Sequence, residues 1–392
     1  FKQKTAYEIP KRDWSSDVCS SDLAQVALAL VLLAGAGLLM ASFRAVTRAD
    51  LGFQPAAVDT ASMSLPAATY KDDDALIGFE QRALTALRAL PGVESAGMTT
   101  LLPFTGNFNN SVILGEGHAM QPGESLLAPL MGTATTGYLE SLSVRLAGGR
   151  FFDARDSKDA PKTVIIDDRL ARTFWPGTDA VGRRLYLPND PKDLTEITEK
   201  TEFFTVVGVV KEMQFLDPRG DFKAVGLVLF PYEQRPARTG LTMVVKSRNA
   251  GPATGPMRAA IAGLDPQLPV YRPRTMEGWI DQALVGRRVP MMIAAAFAVV
   301  ALFLSSIGVY GVLAYGVTQR RRELGVRMAL GGSATSVFGV VFADGLKIVG
   351  VGLLAGIGGS YLVGRLMQAQ LFQVTPTNPL VLFGVTITLS VV

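Results

Sequence analysis

Between Val289 and Val317 the chain runs 29 residues without a charged side chain. At about 1.5 Å of rise per residue, roughly 20 apolar residues cross the hydrocarbon layer of a bilayer. This run therefore spans a membrane as a helix, with length to spare for tilt. Three further runs share its character. Ala24 to Phe43 is polar only at Gln25 and Ser42, residues 336–367 are charged only at Asp344, Lys347 and Arg365, and residues 379–392 open a fourth run. The first is longer than the apolar core of a signal peptide and leads into Arg44 and Arg48 without a small-residue cleavage site, so it reads as an anchor that stays in the membrane. The fourth supplies 14 residues where roughly 20 are needed, so a truncated helix and a longer natural chain are expected.

The second and third runs are joined by Thr318-Gln-Arg-Arg-Arg-Glu-Leu-Gly-Val-Arg-Met-Ala-Leu-Gly-Gly-Ser-Ala-Thr335, which carries Arg320, Arg321, Arg322 and Arg327 against the single acid Glu323. Glu323 and Arg327 stand four apart in the acid-then-base order that favours a helix. Gly325, Gly331 and Gly332 suit a close approach or a helix stop. A compact basic segment tied to two spanning helices is suited to pass a push from a soluble partner into the membrane; it equally suits a loop that only orients the hairpin. Charge does not choose the side, because Arg44, Arg48, Arg287 and Arg288 flank the opposite ends of the helices. In the third run Asp344 and Lys347 are three apart on one helical face. They read as an ion pair at the membrane interface with the lysine snorkelling outward, or as a buried polar pair. Gly350, Gly352, Gly356, Gly358 and Gly359 give that run small surfaces for close helix packing, within one chain or across a dimer.

Only 18% of the residues are charged, against about a quarter in soluble domains, and the shortfall is concentrated in the apolar runs. One cysteine, Cys19, and one histidine, His118, leave no thiol metal site, disulfide framework or histidine-centred triad within these residues. Residues 1–23 lack a structural period and resemble translated sequencing-adapter text. They are set aside as a lead expected to be disordered or weakly ordered.

Arg44 to Arg288, 245 residues without a membrane-length run, forms a polar domain between the first and second helices. A strand from Val58, a helix over residues 72–90 opened by Asp72, Asp73 and Asp74 and stopped by Pro91-Gly92, and a strand over 93–100 suggest an α+β unit with an antiparallel sheet. The three aspartates read as capping and charge complementarity rather than as a metal site. Residues 104–128 form a glycine-bearing excursion around a strand Ser111–Leu114, with His118 facing solvent. Further strands are expected at 164–166, 181–187, 203–210, 225–231 and 241–246, and helices over 168–175 and 251–264. Asp168 and Asp167 sit at a helix start and read as a cap. No Walker lysine motif, glycine-rich phosphate loop or basic-aromatic nucleic-acid surface occurs in the sequence.

Several stretches resemble the permease subunits of ABC systems of the macrolide-exporter and cell-division-permease type. These are Gly137-Tyr-Leu-Glu-Ser-Leu142, Gly148-Gly-Arg-Phe-Phe152, Val164-Ile-Ile-Asp-Asp-Arg-Leu-Ala-Arg-Thr-Phe-Trp-Pro-Gly177, Phe204-Thr-Val-Val-Gly-Val-Val210 and the basic segment 318–332. More narrowly, the chain looks like the second half of a duplicated permease common in acidobacterial genomes. The resemblance implies an α+β extracytoplasmic domain, residues 44–288, inserted between transmembrane helices 1 and 2 of a four-helix permease in the bacterial inner membrane. It implies an ABC ATPase partner in trans that binds the ATP and docks near Arg320, Arg321, Arg322, Glu323, Gly325 and Arg327, and no cofactor in this chain. A permease dimer or first permease copy and an envelope protein are further partners it suggests, with efflux or mechanotransmission as the task. A membrane-anchored scaffold or sensor is the other reading. An anchored hydrolase is the weakest, because no set of nucleophile, base and orienter is found.

Overall fold

The computed structural model describes residues 14–106, 109–118, 125–188, 197–215, 225–248, 253–319, 321–322, 326, 329, 334–368, 374–375 and 377–391, the backbone alone in parts of the helices. The chain divides into two compact units, Asp50–Val285 and a second made from the residues on either side of it.

The Asp50–Val285 unit is built on one sheet. Its strands are β1 (Val58–Met63), β2 (Val93–Thr99), β3 (Leu114–Gly115), β4 (Leu130–Ala134), β5 (Leu146–Gly149), β6 (Thr163–Asp167), β7 (Arg184–Tyr186), β8 (Phe203–Val210), β9 (Leu227–Pro231), β10 (Leu241–Ser247) and β11 (Val270–Thr275). They lie in the order β11-β1-β10-β2-β4-β9-β6-β8-β7-β3, with β5 pairing on β8. Each of the first four runs antiparallel to its neighbour. With α2 (Asp73–Arg88) after β1 and α5 (Thr254–Leu264) before β11, they make a split β-α-β pair. The stretch between β2 and β10 is an insertion that extends the same sheet from the β2 edge. It carries α3 (Tyr138–Ser141) and α4 (Asp168–Phe174).

Alternation along the strands sorts the core onto two faces. Leu241, Met243 and Val245 of β10 join Leu76, Phe79, Ala83, Leu84 and Leu87 of α2 and Met257 and Ile261 of α5. Val244 between them faces the other way, into a cluster with Tyr138, Leu142 and Trp279. In the insertion Ile165, Leu227 and Leu229 join that same second cluster, while Val164, Ile166, Val228 and Phe230 pack with Leu170, Phe174 and Trp175. The second cluster thus runs behind both halves of the sheet.

The sheet is mixed, not antiparallel as the sequence suggests, because β4 pairs parallel with β9 and β6 parallel with β8. Every residue of β4, β6 and β9 is buried, and strands covered on both faces lose the alternation that marks a half-exposed antiparallel strand. His118 also departs from expectation: its ring stands edge-on to Phe174 with centroids 5.5 Å apart, and it is half-buried rather than solvent-facing.

In the other unit α1 runs Trp14–Arg48, α6 runs Met276–Gln319 from the domain into this unit, α7 runs Ala334–Leu366, and α8 runs Pro379–Val391. Among the described residues three segments are long and apolar enough to cross a membrane, Leu23–Arg48, Met276–Thr318 and Val349–Leu366, and Pro379–Leu389 is a shorter apolar helix. Helix α1 runs from Trp14, so residues 14–23 are helical where a disordered or weakly ordered lead is expected. Once a stable apolar helix exists, each added residue costs little, since the nucleation penalty is met only once.

The seam between α1 and α7 rests on small residues. A Cβ on Gly352 or Gly356 would lie 2.8 Å from the Cβ of Val26 or Leu30, and one on Gly359 would lie 2.8 Å from a Val31 methyl, whereas Gly350 and Gly358 face open space. Three of the five glycines noted in the sequence therefore work within the chain. Hydroxyls in these helices bond backwards, Ser306 to the Leu302 carbonyl at 2.7 Å and Thr386 to that of Leu382 at 2.8 Å, which removes polar cost without a partner helix. Phe297, Phe303, Leu304, Leu354 and Leu362 point outward, more than half exposed, as side chains do when lipid is the solvent.

Candidate functional site

The basic segment begins where α6 ends. Thr318 closes the last turn by donating to the Ala314 carbonyl at 2.8 Å, and Arg321 and Arg322 follow as exposed helical residues. Two arginines are thus available at this end of α6. Arg320, Glu323, Gly325 and Arg327 lie outside the described residues, and so do the side chains of Asp344 and Lys347, whose backbone belongs to α7.

In the domain, the motifs singled out in the sequence prove to be fold anchors. Gly137 caps α3 with φ 86°, and a Cβ there would lie 2.4 Å from the Ala96 carbonyl, so only glycine brings α3 this close to β2. Tyr138, fully buried, donates its hydroxyl to the Leu101 carbonyl at 3.0 Å. Arg88 secures the same corner, reaching the carbonyls of Thr136 at 2.7 Å and Ala96 at 3.2 Å.

The Gly148–Phe152 motif positions Arg150. Its guanidinium meets Asp156 through two hydrogen bonds, 2.5 Å to Oδ2 and 2.9 Å to Oδ1. Asp156 also accepts from the Asp153 N–H at 3.0 Å and the Thr163 hydroxyl at 2.8 Å. Burial works to raise the Asp156 carboxyl, but Arg150 and these two donors outweigh it and hold the group below the ordinary carboxylate range.

Asp167 caps α4 as its sequence position suggests, accepting from the Leu170 N–H at 3.0 Å. Burial pushes it up to about 6, against the N–H groups of Leu170 and Leu227. Asp168 holds Arg172 at 2.9 Å and Lys211 at 3.2 Å and accepts from the Glu212 N–H. Asp72 caps α2 through the Ala75 N–H at 2.8 Å. These carboxylates are engaged in holding helix starts and strand ends. Among the described residues no group of three or more His, Cys, Asp or Glu is arranged to hold a metal ion.

One charged residue of consequence escapes the sequence reading. Glu80 is only 3% exposed, and its Oε2 is buried without a hydrogen-bond partner. The available signal is its position one turn after Leu76, one before Leu84 and two before Leu87, where helical periodicity calls for an apolar side chain.

The model of the MacB-like periplasmic core domain matches residues 24–261, and that of the FtsX-like permease C-terminal region matches residues 295–392. The chain is 26% identical over 226 residues to the macrolide export ATP-binding/permease protein MacB of Rhodospirillum rubrum, covering 54% of this chain and 32% of that protein. It is 24% identical over 237 residues to the probable syringafactin export ATP-binding/permease protein SyfD of Pseudomonas syringae pv. tomato, covering 58% and 33%. The chain thus spans about a third of the length of these curated relatives. Among solved structures, the periplasmic region of MacB from Actinobacillus actinomycetemcomitans overlays 59% of this chain and 94% of its own, at 12% identity and a TM-score of 0.38.

Proposed function

Because the chain belongs to the family with a MacB-like periplasmic core domain, followed here by an FtsX-like permease region, we propose that it is the permease subunit of an ABC-type efflux or mechanotransmission system. Its domain is extracytoplasmic, its apolar helices lie in the bacterial inner membrane, and residues 318–335 face the cytoplasm. A separate ABC ATPase binds the ATP and docks on the basic segment, with Arg321 and Arg322 in the contact and Arg320, Glu323, Gly325 and Arg327 completing it. Hydrolysis there drives movement of the large domain, and neither a cofactor in this chain nor a substrate path through the bilayer is needed. Asp344 and Lys347 serve as an interfacial ion pair of α7. A second permease copy and an envelope protein complete the assembly.

The observation that carries this reading is the order of parts. An apolar helix, a 236-residue domain, a second apolar helix, two exposed arginines and a third apolar helix follow one another, and the two family models cover the chain in the same order. Exposed arginines at a helix end offer charge-assisted bonds to the carboxylates of a soluble partner.

The test is co-reconstitution in nanodiscs with candidate ABC ATPases from the same genome. Reversal of Arg320, Arg321, Arg322 and Arg327 to glutamate is expected to abolish co-purification of the ATPase and the stimulation of its turnover. Unchanged binding and turnover would remove the coupling proposal. Coupled turnover with no substrate moved in an export assay would select mechanotransmission over efflux, and no ATPase partner at all would select the anchored scaffold.

A further inference from the structure

A cavity of about 380 Å³ opens in the domain between α2, the end of β4, the corner 152–157 and the turn after β9. Its volume falls at the lower end for small-molecule sites. Four of its lining residues are carboxylic, Glu80, Asp153, Asp156 and Glu233, and none is Lys, Arg or His. Phe152, Tyr232, Ala134 and Pro231 supply apolar wall.

The four acids differ in what they already hold. Asp156 is matched by Arg150, as described. Asp153 is matched by Arg155, which reaches its two oxygens at 2.9 and 2.7 Å. Among the described residues Glu233 accepts only from a neutral amide, the Gln81 Nε2 at 3.0 Å. Glu80 is 97% buried, and its Oε2 has no hydrogen-bond partner among the described residues. A buried carboxyl without donors is costly, and a core position on α2 would accept leucine. The Tyr232 hydroxyl does not relieve it, being donated to the Ala237 carbonyl at 2.9 Å. Arg88 favours the charged form of Glu80, but its guanidinium is engaged with the carbonyls of Ala96 and Thr136.

We infer that this cleft binds a small organic cation, a primary amine, whose ammonium group is held by Glu80 and Glu233. An ammonium group supplies the donors that Glu80 lacks and offsets the repulsion between Glu80 and Glu233. The inference stands apart from the permease reading, since it concerns binding to the domain whatever the membrane helices do.

Protonation sharpens the expectation. Burial, and then the neighbouring Glu233, raise the Glu80 carboxyl to about 7, with Arg88 opposing. The charged form that holds the amine therefore predominates at pH 8 and is the minority at pH 6.

The experiment is isothermal titration of the full chain in detergent with phenethylammonium and n-butylammonium, each against its neutral alcohol, 2-phenylethanol or n-butanol. At pH 8 both amines are expected to bind saturably with millimolar or better Kd, at least about ten-fold tighter than their alcohols. Glu80→Gln and Glu233→Gln should each remove that preference, and amine affinity should fall about ten-fold between pH 8 and pH 6, following the one-proton titration of Glu80. Glu233 is less buried than Glu80, so its variant tests the site without disturbing the core, and circular dichroism checks that both variants are folded. Absence of saturable binding by either amine, equal affinity for amine and alcohol, or unaltered amine binding in folded Glu80→Gln would each overturn the inference.

Discussion

Two walls of one cleft bury a carboxylate to the same extent and treat it in opposite ways. Asp156 and Glu80 are each 3% exposed. Asp156 is held by Arg150, an N–H and a hydroxyl and is kept ionised. Glu80 has an enclosed oxygen without a partner, and its carboxyl is pushed up to about 7. Burial by itself therefore does not say what an acid is for; the donors around it do. The first carboxylate completes the fold, and the second leaves a place for something else.

The comparison can be broken from either side, and removing Arg150 should have the larger effect. Arg150→Ala leaves Asp156 buried and unpaired and is expected to cost about 3–5 kcal/mol. Because the folded carboxyl lies below its ordinary value, that contribution is present at neutral pH and is lost as pH falls below the ordinary carboxylate range. The penalty, read from thermal unfolding of the full chain in detergent, should be greatest near neutrality and shrink in acid. Glu80→Gln should do the reverse. A folded value near 7 against 4.5 unfolded means that stability is highest below pH 4.5 and declines as pH rises through 7. The variant should accordingly gain up to about 3 kcal/mol at pH 8 and nothing at pH 4.5. A loss at pH 8 would mean that Glu80 is satisfied after all.

The membrane unit extends the contrast, because its α1–α7 seam excludes charge among the contacts at Val26, Leu30 and Val31. Gly356→Leu, which would drive a side chain into Leu30, should destabilise by about 1–3 kcal/mol through overpacking, while Gly358→Leu, facing open space, should leave unfolding unchanged. The smallest effect belongs again to the satisfied wall. Thr163→Val removes one of the donors to Asp156 and should cost about 1 kcal/mol, an amount that Arg150→Ala would exceed several-fold.

The legible parts of this chain are those in which one periodicity or one absence dominates. Val289–Val317 needs only its missing charges to be read as a membrane helix, and Phe203–Val210 is found at its expected bounds because valine and phenylalanine crowd an eight-residue strand. Parallel pairing was hidden because β6, buried at every position, carries no alternation to betray its neighbours. The cleft was hidden for another reason. Glu80 and Glu233 are 153 residues apart in sequence, and only the insertion between β2 and β10 folds them onto one wall. The Gly137 and Gly148 motifs were visible as family features, but their physical task, close backbone approach and the seating of Arg150, needed the sheet register to be seen.

The permease reading is tested most directly by hydrogen–deuterium exchange of the reconstituted complex, comparing the nucleotide-free state with one trapped by ATP and vanadate. If ATP on a cytoplasmic partner moves the extracytoplasmic domain, peptides within residues 50–285 will change protection on trapping, and the change will disappear when Arg320, Arg321, Arg322 and Arg327 are reversed to glutamate. Identical exchange throughout 50–285 in the two states, with the ATPase bound and hydrolysing, would contradict it.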